Sequence, residues 1–253
     1  MQKLNMENPF SKGAGEKAEI YYKELTDSTM NDARRLIGEK VPTGTAVLAS
    51  EQTAGRGRVE GRKWISAKDE SLMFTMLVKT SDIGFNLTLF PLFAGFAIAG
   101  FLEKEYGIKA KIKWPNDVLI DGRKISGILC ENSSGYILCG IGLNCSQRHA
   151  GEIAGNRAVS ICELNGEAPD IRLTLSGLLG FMKDNWNSTV WKDKVEEKLY
   201  MKGLNVLLCD GLPDSGKRIE GIIEGIGGDG ELIITEKHSG LLRKVYSGEI
   251  LCK

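Results

Sequence analysis

The chain has 253 residues, of which 42% are apolar, and this is enough for one large domain with a hydrophobic core and a smaller second one. Lysine and arginine together number 33, and so do aspartate and glutamate, so the formal net charge is zero. No overall positive charge attracts nucleic acid, and any basic site must be local. Neither His149 nor His238 stands at ligand spacing, which argues against a zinc site or a histidine-based triad. The cysteines form no Cys-x-x-Cys pair and no signal peptide is recognisable, so we expect reduced thiols, a cytoplasmic location and no membrane partner.

The first segment predicts an arm, a strand and a helix start. Residues 1–17 are polar and include Gly13 and Gly15, so we expect a flexible arm that is too short for a helix-turn-helix. Residues 18–25 have the pattern of a strand, and Thr26-Asp27-Ser28-Thr29 offers several caps for a following helix. Such a helix start presents amides and hydroxyls to a small polar ligand, and plain capping is the alternative explanation.

A loop rich in glycine and arginine follows the next predicted strand, residues 45–50. Residues 51–64 contain three glycines and four basic residues, a composition that cannot pack a core but lets the backbone approach a ligand closely. The dinucleotide fingerprint does not fit, because its third glycine would fall on Glu60. We interpret the segment as a mobile basic loop ending at Trp64, and a solvated surface loop is the alternative.

An uncharged stretch, residues 83–102, is long enough to raise the question of a membrane span. Polar residues and a proline within it weaken that interpretation, and a cluster of charges ends it. We therefore predict a buried helix over residues 88–106, after a buried strand at residues 72–78.

The central feature is a predicted hairpin within residues 111–129. Asp121-Gly122 lies between two apolar runs, a strong hairpin signal because both turn positions require positive φ. One arm would carry Asn116 and Asp117 and the other Lys124, close together in space. A carboxylate, an amide and an ammonium in this arrangement suit a charged, phosphate-bearing ligand, and an ordinary surface hairpin is the alternative.

The remaining pattern predicts a strand, a helical region and a small β domain. Gly140 and Gly142 lie in a predicted strand at residues 136–145, where a ligand can approach the backbone; bulges or close strand packing are the alternatives. Residues 170–201 are helical in pattern. From residue 204 onward, short apolar segments separated by glycine-rich turns indicate a barrel-like β domain.

Four motifs together resemble the biotin protein ligase family, in the form without an N-terminal DNA-binding domain. They are Gly55-Arg56-Gly57-Arg58, Lys113-Trp114-Pro115-Asn116-Asp117, Arg123-Lys124-Ile125-Ser126-Gly127 and Gly140-Ile141-Gly142-Leu143-Asn144. The resemblance covers nearly the whole chain. It implies an α+β fold of the class II synthetase-like type, with a mostly antiparallel mixed sheet and packed helices, followed by a small SH3-like β barrel. The expected divisions are an arm at 1–17, a catalytic domain at 18–202 and the C-terminal domain at 203–253.

The resemblance further implies that biotin and MgATP form biotinyl-5′-adenylate, which then biotinylates a lysine of a carrier protein. Expected catalytic residues are Lys124, Arg58, Arg56 and Asp117. Expected biotin contacts are Ser28, Thr29, Gln52, Gly55, Arg56, Gly57, Arg58, Lys124, Gly127 and Gly142. Expected ATP or adenylate contacts are Arg58, Trp64, Asn116, Lys124 and Asn144. Asp117 is the expected magnesium ligand, the carrier domain is the expected protein partner, no nucleic acid is expected, and a homodimer is left open.

Two positions depart from the family's pattern, and three alternatives remain. The basic loop carries an additional residue at Val59-Glu60, and Met30 stands where an asparagine is common. A lipoate or octanoate ligase of the same fold is the nearest alternative. A biotin-responsive regulator is the second alternative, and the short arm argues against it. A non-catalytic adenylate-binding module is the third, and the presence of Lys124 and both loop arginines argues against it.

Overall fold

The computed structural model describes residues 1–11, 17–148, 157–212 and 216–251. His149, Cys252 and residues 12–16 of the predicted arm lie outside the described residues. The strands are β1 Gln2–Lys3, β2 Ile20–Thr26, β3 Ala46–Gln52, β4 Ser71–Lys79, β5 Lys111–Lys113, β6 Asp117–Ile120, β7 Arg123–Ser133, β8 Tyr136–Asn144, β9 Asn205–Asp210, β10 Lys217–Ile226, β11 Leu232–Glu236, β12 Leu242–Val245 and β13 Gly248–Leu251. The α-helices are α1 Thr29–Leu36, α2 Phe90–Tyr106, α3 Ile161–Asn165, α4 Ile171–Asn185 and α5 Trp191–Lys198, with 3₁₀ turns at Ile37–Glu39, Thr80–Asp82 and Leu87–Leu89.

The larger sheet has eight strands in the order β1-β2-β3-β4-β8-β7-β6-β5. Strands β2 and β3 run parallel, joined through α1, and the other neighbours in this sheet are antiparallel. The mostly antiparallel α+β architecture predicted from the sequence is therefore confirmed.

The predicted central hairpin is formed by β6 and β7. Asp121 and Gly122 have φ angles of 49° and 77°, and these positive values are what a tight two-residue hairpin turn requires. A register shift between Val118 and Leu119 interrupts the pairing of the two arms. Such a bulge re-aims side chains, here beside Asp117 and Lys124.

Helix α2 forms the core on one face of the sheet. Leu87–Tyr106 is long and apolar enough to cross a membrane by length and composition alone. Within the described chain, however, α2 is largely buried against the sheet and the other helices, so we interpret it as a core helix, as the sequence predicted.

Helices α2 and α4 meet through two glycine–phenylalanine contacts. A β-carbon built on Gly100 would lie 2.4 Å from the ring of Phe181, and one built on Gly177 would lie 2.7 Å from the ring of Phe101. Each ring thus occupies the space of a missing side chain on the other helix. This reciprocal packing brings the two helices close together.

Helix α1 covers only part of the opposite face. Met30, Ala33 and Leu36 of α1 pack with Val47 and Leu138 in a second, smaller core. Because successive side chains of a strand point to opposite faces, Leu138 faces α1 while its neighbours on β8 face α2. The sheet beyond the start of α1 remains uncovered by helix, and the candidate site lies there.

The ends of the chain differ from the sequence-based expectation. In the arm, β1 pairs with β2, and both Leu4 and Phe10 are buried, so residues 2–10 are packed against the sheet rather than loose. The C-terminal strands form a five-stranded sheet in the order β12-β11-β10-β9-β13. Within the described residues no pairing joins β12 to β13, so the predicted small β domain is present as an open sheet and the predicted barrel closure is not found.

The glycine–phenylalanine contact predicts opposite effects for two substitutions on α4. Gly177→Ala should lower the free energy of unfolding by about 1–3 kcal/mol from overpacking against Phe101, partly offset by the better helix propensity of alanine. Gly180→Ala is the matched control, because its added carbon meets only Pro9 at 3.8 Å, and it should raise stability by up to about 1 kcal/mol. Urea denaturation measures both. Equal effects of the two substitutions would contradict the packing explanation.

Candidate active site

The floor of the site is formed by glycines on two neighbouring strands, β7 and β8. Gly127 on β7 and Gly142 on β8 are direct cross-strand partners, and Gly140 lies two residues further along β8. All three face the same side as α1, because their alternate neighbours point into the α2 core. A ligand can therefore approach the backbone of the sheet closely here.

The polar end of the site is built where α1 begins. Ser28 is the N-cap and accepts a hydrogen bond from Met30 N at 3.3 Å. The backbone N–H and the hydroxyl of Thr29 both donate to Gln52 Oε1, at 2.8 and 3.2 Å, and Thr29 Oγ1 accepts from Thr75 Oγ1 at 2.8 Å. These bonds fix the hydroxyl of Thr29 and the amide of Gln52 beside the floor.

The start of α1 is also held by Asp27. Asn31 Nδ2 donates to its Oδ2 at 2.7 Å and Ser28 N donates to its Oδ1 at 2.8 Å. The hydrogen bond from Asn31 and then that from Ser28 lower the pKa of Asp27 to about 2. A depressed carboxyl pKa means that these bonds stabilise the fold above the ordinary value near 3.8 and lose their effect as the pH falls through about 2.

The cationic end of the site lies on the central hairpin. Lys124 Nζ forms an ion pair with Asp117 Oδ1 at 2.7 Å, so the predicted ammonium and carboxylate do meet. The amide of Asn116 donates to Ile128 O at 2.8 Å and its backbone carbonyl accepts from Ile128 N, which ties the turn between β5 and β6 to β7. The lysine thus stands beside Gly127 at one end of the floor.

The basic loop folds back on itself over this floor. Gly57 N donates to Arg62 O and Trp64 N donates to Gly55 O, which makes a short hairpin. A β-carbon on Gly142 would lie 2.5 Å from the Trp64 ring, so the indole rests directly on that glycine. Its Nε1 is buried without a hydrogen-bond partner. A ligand lying along the floor must therefore displace the indole.

Two further parts of the molecule hold the loop in place. Arg56 reaches Asn31 Oδ1 at 3.2 Å, with Glu131 Oε1 at 3.8 Å. On the other side, Arg58 Nη2 donates to the carbonyl of Gly248 at 2.7 Å. The Arg62 guanidinium binds both carboxylate oxygens of Glu249, at 3.0 and 2.7 Å. The loop therefore spans the site from α1 to strand β13 of the C-terminal sheet.

The anchoring carboxylate has a perturbed pKa. Burial pushes the pKa of Glu249 upward, but the hydrogen bond and charge of Arg62, with the charges of Lys113 and Arg58, hold it below its ordinary value. Burial lowers the pKa of Arg58, against the opposing effect of Glu249 and Asp117. Because the Glu249 carboxyl pKa is depressed, its contribution to stability is present above the ordinary carboxyl value and is lost as the pH falls.

These elements line a cavity of about 170 Å³ that opens to solvent. All but two of the predicted site residues line it, namely Ser28, Thr29, Gln52, Arg56, Gly57, Arg58, Trp64, Asn116, Asp117, Lys124, Gly127 and Gly142. Gly55 does not line the cavity; it is buried at the base of the loop. Asn144 does not line it either, because its side chain donates to the carbonyls of Val159 and Lys124.

Several lining residues were not predicted as site residues. Glu249, Arg62, Met30 and Gly140 are the most informative of them. A local signal existed for Arg62 in the arginine-rich loop and for Gly140 in the paired glycines. Nothing in the sequence near Glu249 connects it with the site, since it reaches the cavity through the fold of the C-terminal sheet.

The chain is similar to known proteins in both sequence and structure. Residues 22–147 match the model of the Biotin/lipoate A/B protein ligase family. The structure superposes on that of biotin protein ligase from Aquifex aeolicus in complex with biotin and ATP with a TM-score of 0.77 and 30% sequence identity, over 92% of this chain and 97% of that one.

Relatives known from sequence are similar as well. The bifunctional ligase/repressor BirA of Bacillus spizizenii is 28% identical over 91% of this chain and 73% of its own length. The biotin–[acetyl-CoA-carboxylase] ligase of Mycobacterium tuberculosis is 34% identical over 61% of this chain and 59% of its own length. The fold is that of a protein ligase. The chain belongs to the Biotin/lipoate A/B protein ligase family, within its biotin protein ligases.

The contact between Trp64 and Gly142 can be tested by fluorescence. Gly142→Ala should shift the emission of Trp64 to longer wavelength, because the added carbon lifts the indole into water. Difference spectra against matched Trp64→Phe proteins isolate this signal from the three other tryptophans. Gly84→Ala is the control, because its added carbon meets nothing within 4 Å. An unshifted Trp64 emission in the Gly142 variant would contradict the described contact.

The Arg62–Glu249 ion pair predicts how tightly the loop is held. Glu249→Gln should speed tryptic cleavage within residues 56–63 by about 1.5- to 5-fold, since a partly exposed ion pair is worth about 0.2–1 kcal/mol. Glu236→Gln is the control, because it breaks an ion pair with Arg243 in the same sheet without touching the loop. Equal cleavage rates in the two variants would show that Glu249 does not anchor the loop.

Proposed function

We propose that this chain activates biotin with MgATP as biotinyl-5′-adenylate and transfers the biotinyl group to a lysine of a carrier domain, in the cytoplasm. The observation that carries the proposal is the position of Lys124 at the end of the glycine floor, opposite the hydroxyl and amide groups of Thr29 and Gln52. Gly127, Gly142 and Met73 lie side by side on three neighbouring strands, which span about 10 Å. This suits an acid with its carboxylate at Lys124 and a polar head group at Gln52.

In the first step, a carboxylate oxygen of biotin attacks the α-phosphorus of ATP. The bond from that phosphorus to the oxygen bridging to the β-phosphate breaks, and pyrophosphate leaves with the electron pair. Two anions must approach each other, so cations are needed to offset their repulsion and the charge on the leaving group. Lys124 stands at the reacting end. Arg56 and Arg58 on the loop line the same cavity, and on binding of ATP they would cover the phosphates.

In the second step, the neutral amine of the carrier lysine attacks the acyl carbon. The bond from that carbon to the phosphate oxygen breaks, AMP leaves, and the amine gives up a proton. Asp117 is the carboxylate placed beside Lys124 to orient this amine. The loop would keep water from the anhydride, and Trp64, once displaced from Gly142, would stack on adenine.

The carboxylates present fit a magnesium ion that arrives with the triphosphate. Within the described residues no group of three or more histidine, cysteine, aspartate or glutamate side chains forms a metal cage. Mg²⁺ is commonly held by one or two carboxylates together with substrate phosphates, and Asp117 supplies one in the cavity. When bound, the ion would neutralise phosphate charge.

The described cysteines are all free, in keeping with a reducing compartment.

Lys124→Ala tests the role of the ammonium. Biotin-dependent exchange of labelled pyrophosphate into ATP should fall by at least about 10²-fold, because the charge that offsets the two anions is lost. Lys237→Ala, which removes an exposed ion pair with Glu220 in the C-terminal sheet, is the control and should exchange normally. Unchanged exchange in the Lys124 variant would remove this residue from the mechanism.

The same assay tests the function itself. Exchange with biotin, but not with lipoate or octanoate, is the expected result for the intact chain. Exchange with only lipoate or octanoate would identify a ligase for another acid. No exchange with any acid would overturn the proposal.

A further inference from the structure

Met30 occupies an unusual place at the edge of the glycine floor. It is the second residue of α1, is only 4% exposed, and lines the cavity. A β-carbon built on Gly140 would lie 2.9 Å from Met30 Sδ and 3.3 Å from its Cγ. The thioether therefore takes the place of a side chain on Gly140 and lies flat on the sheet.

The strand register shows what flanks this thioether. Gly140 pairs with Thr75 on β4 and with Leu129 on β7, and all three positions face α1. The hydroxyl of Thr75 donates to that of Thr29, so Thr29 lies over β4 while Met30 lies over β8. We call this row the wall. Its β4 end is polar, with Thr29 and Thr75, and the rest is apolar, with Met30 over β8 and Leu129 on β7.

The floor lies next to this wall. Gly142 pairs with Met73 and with Gly127, and this row is two residues further along the strands, or about 7 Å from the wall. A ligand that extends from Lys124 toward Gln52 follows the floor. One flank of the ligand then faces Met30.

The head group of biotin is a ureido ring fused to a ring that contains a thioether sulfur. The different polarity of the two rings determines how the head group would be oriented against the wall. The ureido ring needs hydrogen-bond partners, because a buried polar group without them costs free energy. Thr29 and Gln52 carry such groups, and Met30 offers only a weakly accepting thioether. The apolar, sulfur-bearing ring is therefore the part that would pack against Met30, whose polarizable side chain fills irregular space well.

We propose that Met30 is a specificity-determining residue, which with Gly140 sets the width available to the sulfur-bearing ring of the acid. The inference rests on the proposed function and deepens it. Shortening Met30 should widen the groove beside that ring. Adding a carbon at Gly140 should push the thioether into the groove and narrow it.

The test compares biotin with its sulfone, which carries two additional oxygens on the ring sulfur, in the pyrophosphate exchange assay. Met30→Ala should raise the kcat/KM of the sulfone relative to biotin by at least about 10-fold, in line with the discrimination that one or two missing groups produce in a pocket. Gly140→Ala should raise the KM for biotin by about 10-fold. The double variant should have a KM closer to that of the unmodified chain than Gly140→Ala alone, because the two residues compete for the same space.

Two controls separate specificity from damage to the fold. Met182→Ala removes an equally buried methionine from α4, away from the cavity, and should leave the sulfone-to-biotin ratio unchanged. Met30→Leu keeps the volume and should keep the preference for biotin. If Met30→Ala does not fold, failure of Met30→Leu to preserve the preference, or the absence of a KM effect in Gly140→Ala, would still overturn the inference. Lack of exchange by the unmodified chain would instead overturn the proposed function.

Discussion

The site depends on the close approach of a ligand to a sheet surface from which side chains are missing. Gly127 and Gly142 face each other across β7 and β8, and even one added carbon on Gly142 would clash with the indole of Trp64. The turn at Asp121-Gly122 then returns the chain so that Lys124 stands at the end of this floor. Strand β7 thus supplies both one half of the backbone floor and the cation beside it. Because they share this strand, the hairpin and the paired glycines belong to one functional unit.

The loop above the floor connects two parts of the molecule. Its arginines reach Asn31 on α1 at one side and Gly248 and Glu249 on β13 at the other. Each contact is modest on its own, because partly exposed ion pairs contribute little. Together they orient a segment that contains three glycines and would otherwise sample many conformations. The C-terminal sheet therefore contributes to the site by holding the basic loop in place. A hydrogen bond from Trp114 Nε1 to the Gly230 carbonyl is a further link between the two sheets.

Helix α1 combines two roles within one turn. Ser28 and Thr29 present polar groups at the helix start, while Met30, one residue later, places a thioether on the sheet. The step of about 100° between successive helical residues makes this possible, because neighbouring side chains point to different strands. A polar and an apolar surface can thus meet within a single groove, which is what a ligand with one polar and one apolar ring requires.

The sequence by itself determined the local part of this design. The Asp-Gly turn predicted the hairpin and the meeting of Asp117 with Lys124, because positive φ at two positions is a local requirement. Tertiary structure decided the rest. Glu249 binds Arg62 across 187 residues, Asn144 turns away from the cavity to satisfy buried carbonyls, and the first residues pair with β2. Each of these results depends on which distant surfaces the fold brings together, and a local pattern of residues contains no record of such neighbours.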